Sequence, residues 1–536
     1  MSTVPHPVPL PVPHPVPLPG PRPVPHPVPA DVHRLTLADV LAEHARSRPH
    51  VTAVVDGDVR LRYPRLAERV ERLAGALAAE GVGAGDRVLW LGRNSCRVLE
   101  LLLAAGRLGA VFCPANWRQS PDELAFVLAD LTPKVVVWER SEAIESVRSG
   151  AAESVRSGAA RWLLSGEEYE RFLAGGDPGA TGEGPSGDAA PVLALYTAAF
   201  DGRPNAALLS HAALVAHAAS LLHVRQMEPG FTFLNSGPLF HVGTMMFCLA
   251  TLLAGGTNVF TPAFDAEEVC RLVDAEACTQ AFLFGQMIDA VVAANAGGKY
   301  DLRSLSFVSH SPEWDAMITV SDTPWCRSKM GGYGQTEVGG MLTFLGLAPG
   351  AAGFAGRPSP LVQVRLLGES GEEVPPGEVG EICARGKSIF SGYFNRPELN
   401  ERKFRGGWHH TGDLGRREPD GTLTFVGPKL RMIKSGNENI YPAEVERALK
   451  SHPAVADAAV IGVPDDRWRQ AVKAVVVLRP DARADAEALT EHVRGLLASY
   501  KKPSRVEFAE SIPKKGFTPD YDALDARYGG GAYPGA

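Results

Sequence analysis

The sequence predicts an α/β protein with a large N-terminal domain of βαβ-type sheets, a small β subdomain and a small α+β C-terminal domain. Three observations predict this class. A chain of 536 residues is too long for a single hydrophobic core. Helix, strand and glycine-turn patterns alternate to about residue 345, which is typical of parallel sheets. Short strand patterns follow over 356–426, and a compact mixed unit begins near Lys429.

Hydrophobic periodicity indicates the individual elements of this fold. Residues 37–44 have helical spacing, and residues 67–77 form a clearer amphipathic helix. Residues 87–91 and 192–196 are apolar runs of the length of buried strands. In the C-terminal unit, residues 442–449 begin with a proline, which suits the first turn of a helix.

Both ends of the chain are predicted to lie outside the folded body. Residues 1–33 are rich in proline alternating with Val, His or Leu, a composition that disfavours helix and sheet and favours an extended, disordered tail. The histidines of this tail offer metal ligands, but a solvated tail is the favoured interpretation. The glycine-rich residues 529–536 are predicted to be flexible. A tandem repeat over 145–160 is expected to lengthen a surface helix or loop.

Composition excludes several classes of function. The net charge of −7 argues against a nucleic-acid partner, and no apolar run reaches the length of a membrane span. Seven dispersed cysteines without C-x-x-C spacing indicate reduced, buried thiols. The N-terminus lacks the pattern of a secretory signal. A cytoplasmic location without a membrane association is therefore expected.

Several motifs occur in a fixed order in the second half of the chain. Tyr333 to Glu337 read YGQTE, and Trp408 to Asp413 read WHHTGD. Between them lie GEVGEI at 377–382 and GYFNRP at 392–397. In order and spacing these strings resemble the adenylate-forming superfamily of acyl-CoA synthetases, adenylation domains and luciferases, over roughly residues 35–528. The resemblance implies an AMP-binding domain over 34–426 and a mobile C-terminal lid over 427–528.

The resemblance also implies roles for the residues of these motifs. Tyr333, with Gly334 beside it, matches the aromatic residue that stacks on adenine. Thr336 matches the residue that contacts the α-phosphate, and Glu337 matches the ligand of Mg²⁺. Asp413 matches the carboxylate that accepts the ribose hydroxyls. The residue types suit these roles, because an aromatic face binds a base and a carboxylate binds a hard cation.

Other matches extend the expected site toward the acyl group and the phosphates. His241 matches a histidine at the mouth of the acyl pocket, although a lone His among apolar residues is more often a core residue. Gly285, Gln286 and Met287 are expected in the same pocket. Lys434 matches a lysine that approaches the site for the second reaction step. Thr197 and Gly202 belong to the segment that corresponds to the phosphate-binding loop.

Three segments depart from the family pattern. The segment 197–206 lacks the family's lysine, most of its hydroxyls and two of its glycines, and it contains Phe200 and Asp201 instead. Pro428 replaces a ribose-contacting arginine, and Leu430 replaces the polar hinge residue of the lid. No lysine in 513–520 aligns with the one that acts in adenylation. These changes predict a degenerate active site and weak use of ATP, since lysine and backbone amides normally hold the phosphates.

Three hypotheses about function remain open. The first is an ATP-dependent, AMP-forming ligase that activates a carboxylic acid as an acyl-adenylate, with Mg²⁺, and transfers it to CoA or another nucleophile. The second is a repurposed relative that transfers or condenses a pre-activated acyl group. The third is a non-catalytic ligand-binding scaffold. In each case the partner is a small carboxylic acid or acyl derivative, and the family makes a homodimer an option.

Overall fold

The computed structural model describes residues 30–154, 160–181, 187–198, 203–321, 332–348, 353, 355–436, 438–515 and 518–533. It confirms the mixed α/β architecture with a large N-terminal and a smaller C-terminal domain. In the described N-terminal part the α-helices are Leu37–Ser47, Tyr63–Ala79, Cys96–Arg107, Pro121–Leu131, Glu142–Ser154, Glu167–Ala174, His211–Arg225, Val242–Ala254, Ala266–Glu276, Gly285–Ala294, Pro312–Met317 and Pro397–Lys403.

Two largely parallel sheets form the centre of the N-terminal domain. In strand order, the first consists of Gln280–Ala281, Thr232–Asn235, Thr257–Phe260, Thr52–Asp56 and Val59–Arg62. The second consists of Gly392–Tyr393, Ala206–Ser210, Pro191–Tyr196, Val111–Pro114, Arg87–Leu91, Val135–Trp138 and Arg161–Leu164. The parallel strands of the second sheet are apolar along nearly their whole length, because helices cover both faces of such sheets.

The small β subdomain is antiparallel, as predicted. Its strands, in order, are Val362–Leu367, Val379–Gly386, His409–Arg417 and Leu423–Pro428. A smaller antiparallel sheet beside it contains Gly332–Gln335, Gly340–Phe344 and Arg357–Pro358. The short strands Ser306–Phe307 and Thr319–Val320 pair separately.

The C-terminal domain, called the lid below, has its own core. Its sheet runs in the order Glu438–Ile440, Ile433–Ser435, Arg469–Leu478 and Val455–Asp465, with Arg505–Phe508 also pairing with Arg469–Leu478. Helices Pro442–Lys450 and Ala486–Leu496 pack on this sheet, and the helix Tyr521–Tyr528 and the strand pair Lys514–Lys515 and Thr518–Pro519 complete the domain. Val445, Val460 and Val476 are among its fully buried side chains.

The predicted elements agree with the structure within a few residues. The helix predicted at 67–77 extends to Tyr63–Ala79, and its start at Tyr63 is explained by Pro64 in the first turn. The predicted strand at 87–91 is observed as Arg87–Leu91. Within the described part of the chain no helix is long and apolar enough to cross a bilayer.

The cysteines and the C-terminal tail give two further outcomes. Six cysteines are free and buried, whereas Cys326 lies outside the described residues. We expected a flexible tail from residue 529, but through residue 533 the chain is bonded to the lid. The Gly531 amide donates to the Gly462 carbonyl over 3.0 Å, and Tyr533 Oη donates to Asp525 Oδ1 over 2.9 Å. The proline-rich residues 1–29 lie outside the described part.

Candidate active site

Tyr333 and Gly334 lie on a strand that leads directly into the short helical turn Thr336–Val338. The strand pairs with Gly340–Phe344 so closely that a Cβ on Gly334 would lie 2.0 Å from the Gly340 carbonyl oxygen. Glycine is therefore required there. The Tyr333 ring stacks on Phe425 with 5.5 Å between centroids. Both residues of this stacked pair line the cavity of the candidate site.

A hydrogen-bonded chain joins the two nucleotide motifs. Tyr333 Oη donates to Asp413 Oδ2 over 2.6 Å, and Gln335 Nε2 donates to the same phenolic oxygen over 2.8 Å. His409 Nε2 lies 3.1 Å from Gln335 Oε1, so this nitrogen carries the hydrogen. Burial raises the pKa of Asp413 to about 6, although the hydrogen bond from Tyr333 opposes the shift. Burial lowers the pKa of His409 to about 3, which keeps its ring neutral.

Glu337 is held in the site by an aromatic neighbour. It is only 7% exposed, and its Oε1 accepts a hydrogen bond from Tyr393 Oη over 2.6 Å. Its backbone carbonyl accepts from the Phe390 amide over 2.9 Å. The carboxylate is therefore both buried and oriented before any ligand binds.

The predicted site residues that the structure describes line one cavity of about 1290 Å³. These residues are Thr197, His241, Tyr333, Gly334, Thr336, Glu337, Asp413 and Lys434. They come from both domains, since Lys434 belongs to the lid. Gly202 lies outside the described residues.

His241 faces a carboxylate of the lid at this cavity. It precedes the helix Val242–Ala254, and its Nε2 lies 3.4 Å from Glu438 Oε2. Arg118 Nη2 pairs with Glu438 Oε1 over 2.6 Å. Burial tends to raise the pKa of Glu438, but the hydrogen bond with His241 and the charge of Arg118 lower it to about 2. His241 thus contacts the lid directly.

Aromatic side chains dominate the wall of the cavity near His241. The rings of Phe233 and Phe247 stack with 5.1 Å between centroids, and Phe282 meets Phe284 edge-on at 5.8 Å. The same wall contains Met246, Met341 and the buried Arg225. The prediction that Gly285, Gln286 and Met287 line this pocket is wrong. They begin the helix Gly285–Ala294 beside it, and Gln286 Nε2 donates to the lid at the Arg467 carbonyl.

Lys434 reaches the cavity from a hairpin of the lid. The strands Ile433–Ser435 and Glu438–Ile440 pair antiparallel, and Lys434 Nζ donates to Asn439 Oδ1 over 2.7 Å. Burial lowers the pKa of Lys434, while the nearby Glu438 opposes this effect. Asn437, between these two strands in the sequence, lies outside the described residues.

A buried ion pair docks the lid against the N-terminal domain. Lys501 Nζ lies 2.6 Å from Glu123 Oε1 of the N-terminal domain and 2.8 Å from Glu444 Oε1 of the lid. Burial opposes the charge of Lys501, but the two carboxylates raise its pKa. Ser120 Oγ adds a hydrogen bond to the Leu496 carbonyl over 2.8 Å. Lys501 is therefore a buried part of the contact between the two domains.

The described ends of the altered phosphate segment are engaged within the protein. Thr197 Oγ1 donates to the Asn205 carbonyl over 3.2 Å, although Thr197 also lines the cavity. The guanidinium of Arg203 lies 5.5 Å from the centre of the Phe126 ring and does not line the cavity. Phe200 and Asp201 lie outside the described residues.

Lys429, beside the predicted hinge, is tied to the N-terminal domain. Its Nζ lies 2.9 Å from Glu381 Oε2, which also accepts from His410 Nδ1 over 2.9 Å. Burial tends to raise the pKa of Glu381, but these partners lower it to about 2. Glu381, His410 and Cys383 could together form a metal-ligand group, yet the adjacent Lys429 ammonium disfavours a cation there.

Elsewhere in the lid, Lys514 Nζ pairs with Asp457 over 2.8 Å.

Sequence reasoning missed several residues that the structure brings into the site. Gln335 lies within the YGQTE motif, and Glu438 lies four residues after Lys434. Their closeness in sequence to predicted site residues could have indicated both of them. Tyr393, Lys403 and Arg118 line the cavity without any comparable signal in the sequence. They are brought there by elements far away in the chain.

Comparison with known proteins agrees with this architecture. Residues 41–394 match the family model described as AMP-binding enzyme, and residues 444–516 match the AMP-binding enzyme C-terminal domain. A feruloyl-CoA synthase from Amycolatopsis sp. is 38% identical over 88% of this chain and 94% of its own. An indoleacetate–CoA ligase from Aromatoleum aromaticum is 32% identical over 90% and 95%. The amide bond synthetase McbA from Marinactinospora thermotolerans superposes with a TM-score of 0.76 at 26% identity, over 92% and 100%.

The site and the fold define an adenylate-forming enzyme of the acid–CoA ligase type. The chain belongs to the AMP-binding enzyme family.

Proposed function

We propose that this protein is an acid–CoA ligase that activates a carboxylic acid as an acyl-adenylate and transfers the acyl group to CoA or another nucleophile. One observation carries the proposal: residues of the nucleotide motifs, the acyl-side His241 and the lid residue Lys434 line a single cavity. A nucleotide-binding scaffold would not require the acyl-side and lid residues to share that space. The altered phosphate segment 197–206 would affect the first step, the formation of the acyl-adenylate from ATP.

An aromatic carboxylic acid is the substrate class that the cavity favours. The wall near His241 is built from stacked and edge-on phenylalanines and two methionines. Aromatic side chains prefer offset-stacked or edge-on contacts with other rings, and methionine adapts to irregular shapes. The relatives named for feruloyl and indoleacetate substrates support an acid that carries a ring.

The nucleotide side provides groups for AMP and for Mg²⁺. Tyr333 offers an aromatic surface, Thr336 a hydroxyl donor and Asp413 a carboxylate acceptor for ribose hydroxyls. Glu337 fits Mg²⁺, because its buried, pre-oriented carboxylate is a hard oxygen ligand and Mg²⁺ usually takes one or two carboxylates together with substrate phosphates. When bound, Mg²⁺ would offset the charge of the phosphates.

The lid arrangement favours the transfer step. Lys434 and Glu438 approach the cavity from the lid, while Lys514 is paired with Asp457 and does not line the cavity. We propose that in this arrangement His241 and Glu438 orient the acyl end, and that Lys434 supplies positive charge toward the leaving adenylate. The incoming thiol then displaces AMP at the acyl carbon. A mobile lid would allow a different arrangement during adenylation.

A second candidate is an enzyme that accepts a preformed acyl-adenylate. It is favoured by Pro428, which stands where the family has a ribose-contacting arginine, and by Arg203, which lies against Phe126 away from the cavity. Because the ribose contact is lost and Arg203 of the phosphate segment does not line the cavity, we expect the pyrophosphate-forming step to be slow, since loss of one transition-state donor typically costs about 10²–10³-fold in rate.

The test measures the two half-reactions separately. The full chain is incubated with a panel of aromatic and aliphatic acids, ATP and Mg²⁺, and pyrophosphate release is followed. In parallel, the synthetic acyl-adenylates are supplied with CoA, and the thioester is measured. We expect both products from at least one aromatic acid. Thioester without pyrophosphate would support the second candidate, and neither product from any acid would contradict both.

A further inference from the structure

Lys403 places a positive charge in the nucleotide half of the cavity. It is the last residue of the helix Pro397–Lys403, and its side chain lines the cavity. Its Nζ donates to the Thr411 carbonyl over 3.1 Å. A Cβ on Gly412 would lie 3.2 Å from the same nitrogen. The ammonium is thus positioned against the backbone of the motif that contains Asp413.

Lys403 interacts electrostatically with carboxylates that have proposed roles in nucleotide binding. Burial lowers its pKa, while Glu337, Glu381 and Asp413 counteract that effect. Two of these carboxylates have proposed roles at opposite ends of the phosphorylated ribose: Asp413 with the ribose hydroxyls and Glu337 with Mg²⁺. A phosphate attached to that ribose would therefore lie close to the Lys403 ammonium, which interacts electrostatically with both carboxylates.

The other described cations of the cavity are engaged elsewhere. Arg118 pairs with Glu438, Lys429 with Glu381, and Lys501 with Glu123 and Glu444. The remaining cationic side chains of the lining lie in the acyl wall or on the lid: Arg225, Lys434 and Arg469. Lys403 differs in position, because its Nζ lies against the N-terminal-domain backbone at Thr411 and Gly412 and its side chain lines the cavity.

We infer that Lys403 binds the 5′-phosphate of the nucleotide and supplies charge that the altered segment 197–206 lacks. This inference rests on the proposed function, and it adds a residue for which the recognised motifs assign no role. A phosphate contact of this kind is charge-assisted, and such hydrogen bonds are shorter and stronger than neutral ones. A purely structural Lys403, which only ties its helix to the Thr411 carbonyl, would not distinguish AMP from adenosine.

The experiment compares AMP with adenosine by titration calorimetry on the full chain. The variants are Lys403→Met, the conservative Lys403→Arg, and Arg402→Met as a control. Arg402 is an exposed cation one residue away in the same helix, and it does not line the cavity. Thermal unfolding of each variant checks that the protein is folded.

We expect Lys403→Met to weaken AMP binding about 10- to 100-fold, as for the loss of one charged hydrogen bond. Adenosine binding should be unchanged, Lys403→Arg should retain most of the AMP affinity, and Arg402→Met should match the wild type. Equal AMP affinity in wild type and Lys403→Met would overturn the inference alone. An equal loss of AMP and adenosine binding in Lys403→Met would also overturn the inference, as would failure of Lys403→Arg to fold. A wild type that binds no AMP would overturn both the inference and the proposed nucleotide site.

Discussion

Tyr333 Oη and Asp413 Oδ2 are 2.6 Å apart, although 80 positions separate the two residues in the chain. This hydrogen bond links the proposed adenine-stacking residue to the proposed ribose-binding carboxylate. Burial raises the pKa of Asp413 to about 6, so its carboxyl changes ionisation state near that pH. We therefore expect nucleotide binding at this pair to depend on pH.

Adenosine affinity should fall as the pH decreases through about 6. The ionised Asp413 can accept ribose hydroxyls, whereas the protonated form loses acceptor capacity. Adenosine is the suitable probe, because it has no phosphate that titrates in this range. Affinity measured from pH 5 to 8 checks the prediction, and Tyr333→Phe should move the midpoint upward, since the tyrosine hydrogen bond lowers the pKa of Asp413. A flat profile would contradict it.

Asp413→Asn should stabilise the ligand-free protein while weakening nucleotide binding. The folded-state pKa of Asp413 is raised from 3.8 to about 6, so the native state retains a proton that the unfolded state has lost, and stability falls as the pH rises through this interval. Removing the group should therefore add roughly 1 kcal/mol above pH 6, after allowance for solvent screening. Chemical denaturation at pH 5 and pH 8 measures this gain. If the gain in unfolding free energy is no larger at pH 8 than at pH 5, the raised pKa of Asp413 is contradicted.

Glu123→Gln should loosen the lid without unfolding it. The substitution removes the charge that Lys501 meets across the domain contact, while Lys501 keeps Glu444 within the lid. We expect docking to weaken by about 1–2 kcal/mol, because one partner of a buried charged contact is lost. Small-angle scattering and proteolysis near Lys429 report lid release. Asp122→Asn is the control, since Asp122 is exposed and lies in the same first helical turn. Equal behaviour of the two variants would contradict the prediction.

Lys434→Ala should slow acyl transfer more than adenylation. Lys434 lines the cavity from the lid hairpin and supplies positive charge in the observed arrangement. Thioester formation from a supplied acyl-adenylate should decrease by about 10²-fold or more, as for loss of an electrostatic contact in a transition state. Pyrophosphate release should change less. Lys450→Ala is the matched control, because Lys450 is a lid lysine paired with Asp457 outside the cavity. An equal loss in both half-reactions would indicate a general effect on the fold.

Much of the fold follows from local patterns in the sequence. Helical periodicity and apolar runs predicted elements such as Tyr63–Ala79 and Arg87–Leu91, because burial of one face depends on residue spacing. The residues predicted from the motifs that the structure describes, including Tyr333 and Asp413, also line the cavity. The expectation for Gln286 failed, because family position could not reveal that its side chain turns toward Arg467 of the lid.

The sequence by itself determined the family, the order of the elements and the chemical groups available at the site. The tertiary structure decided which charges meet: Lys501 is neutralised by Glu123 and Glu444, while Lys403 lies with Glu337 and Asp413 at the nucleotide cavity. The physical reason is that electrostatic interactions depend on distance and burial. Both quantities are set by contacts between residues far apart in the chain, so no local pattern can specify them.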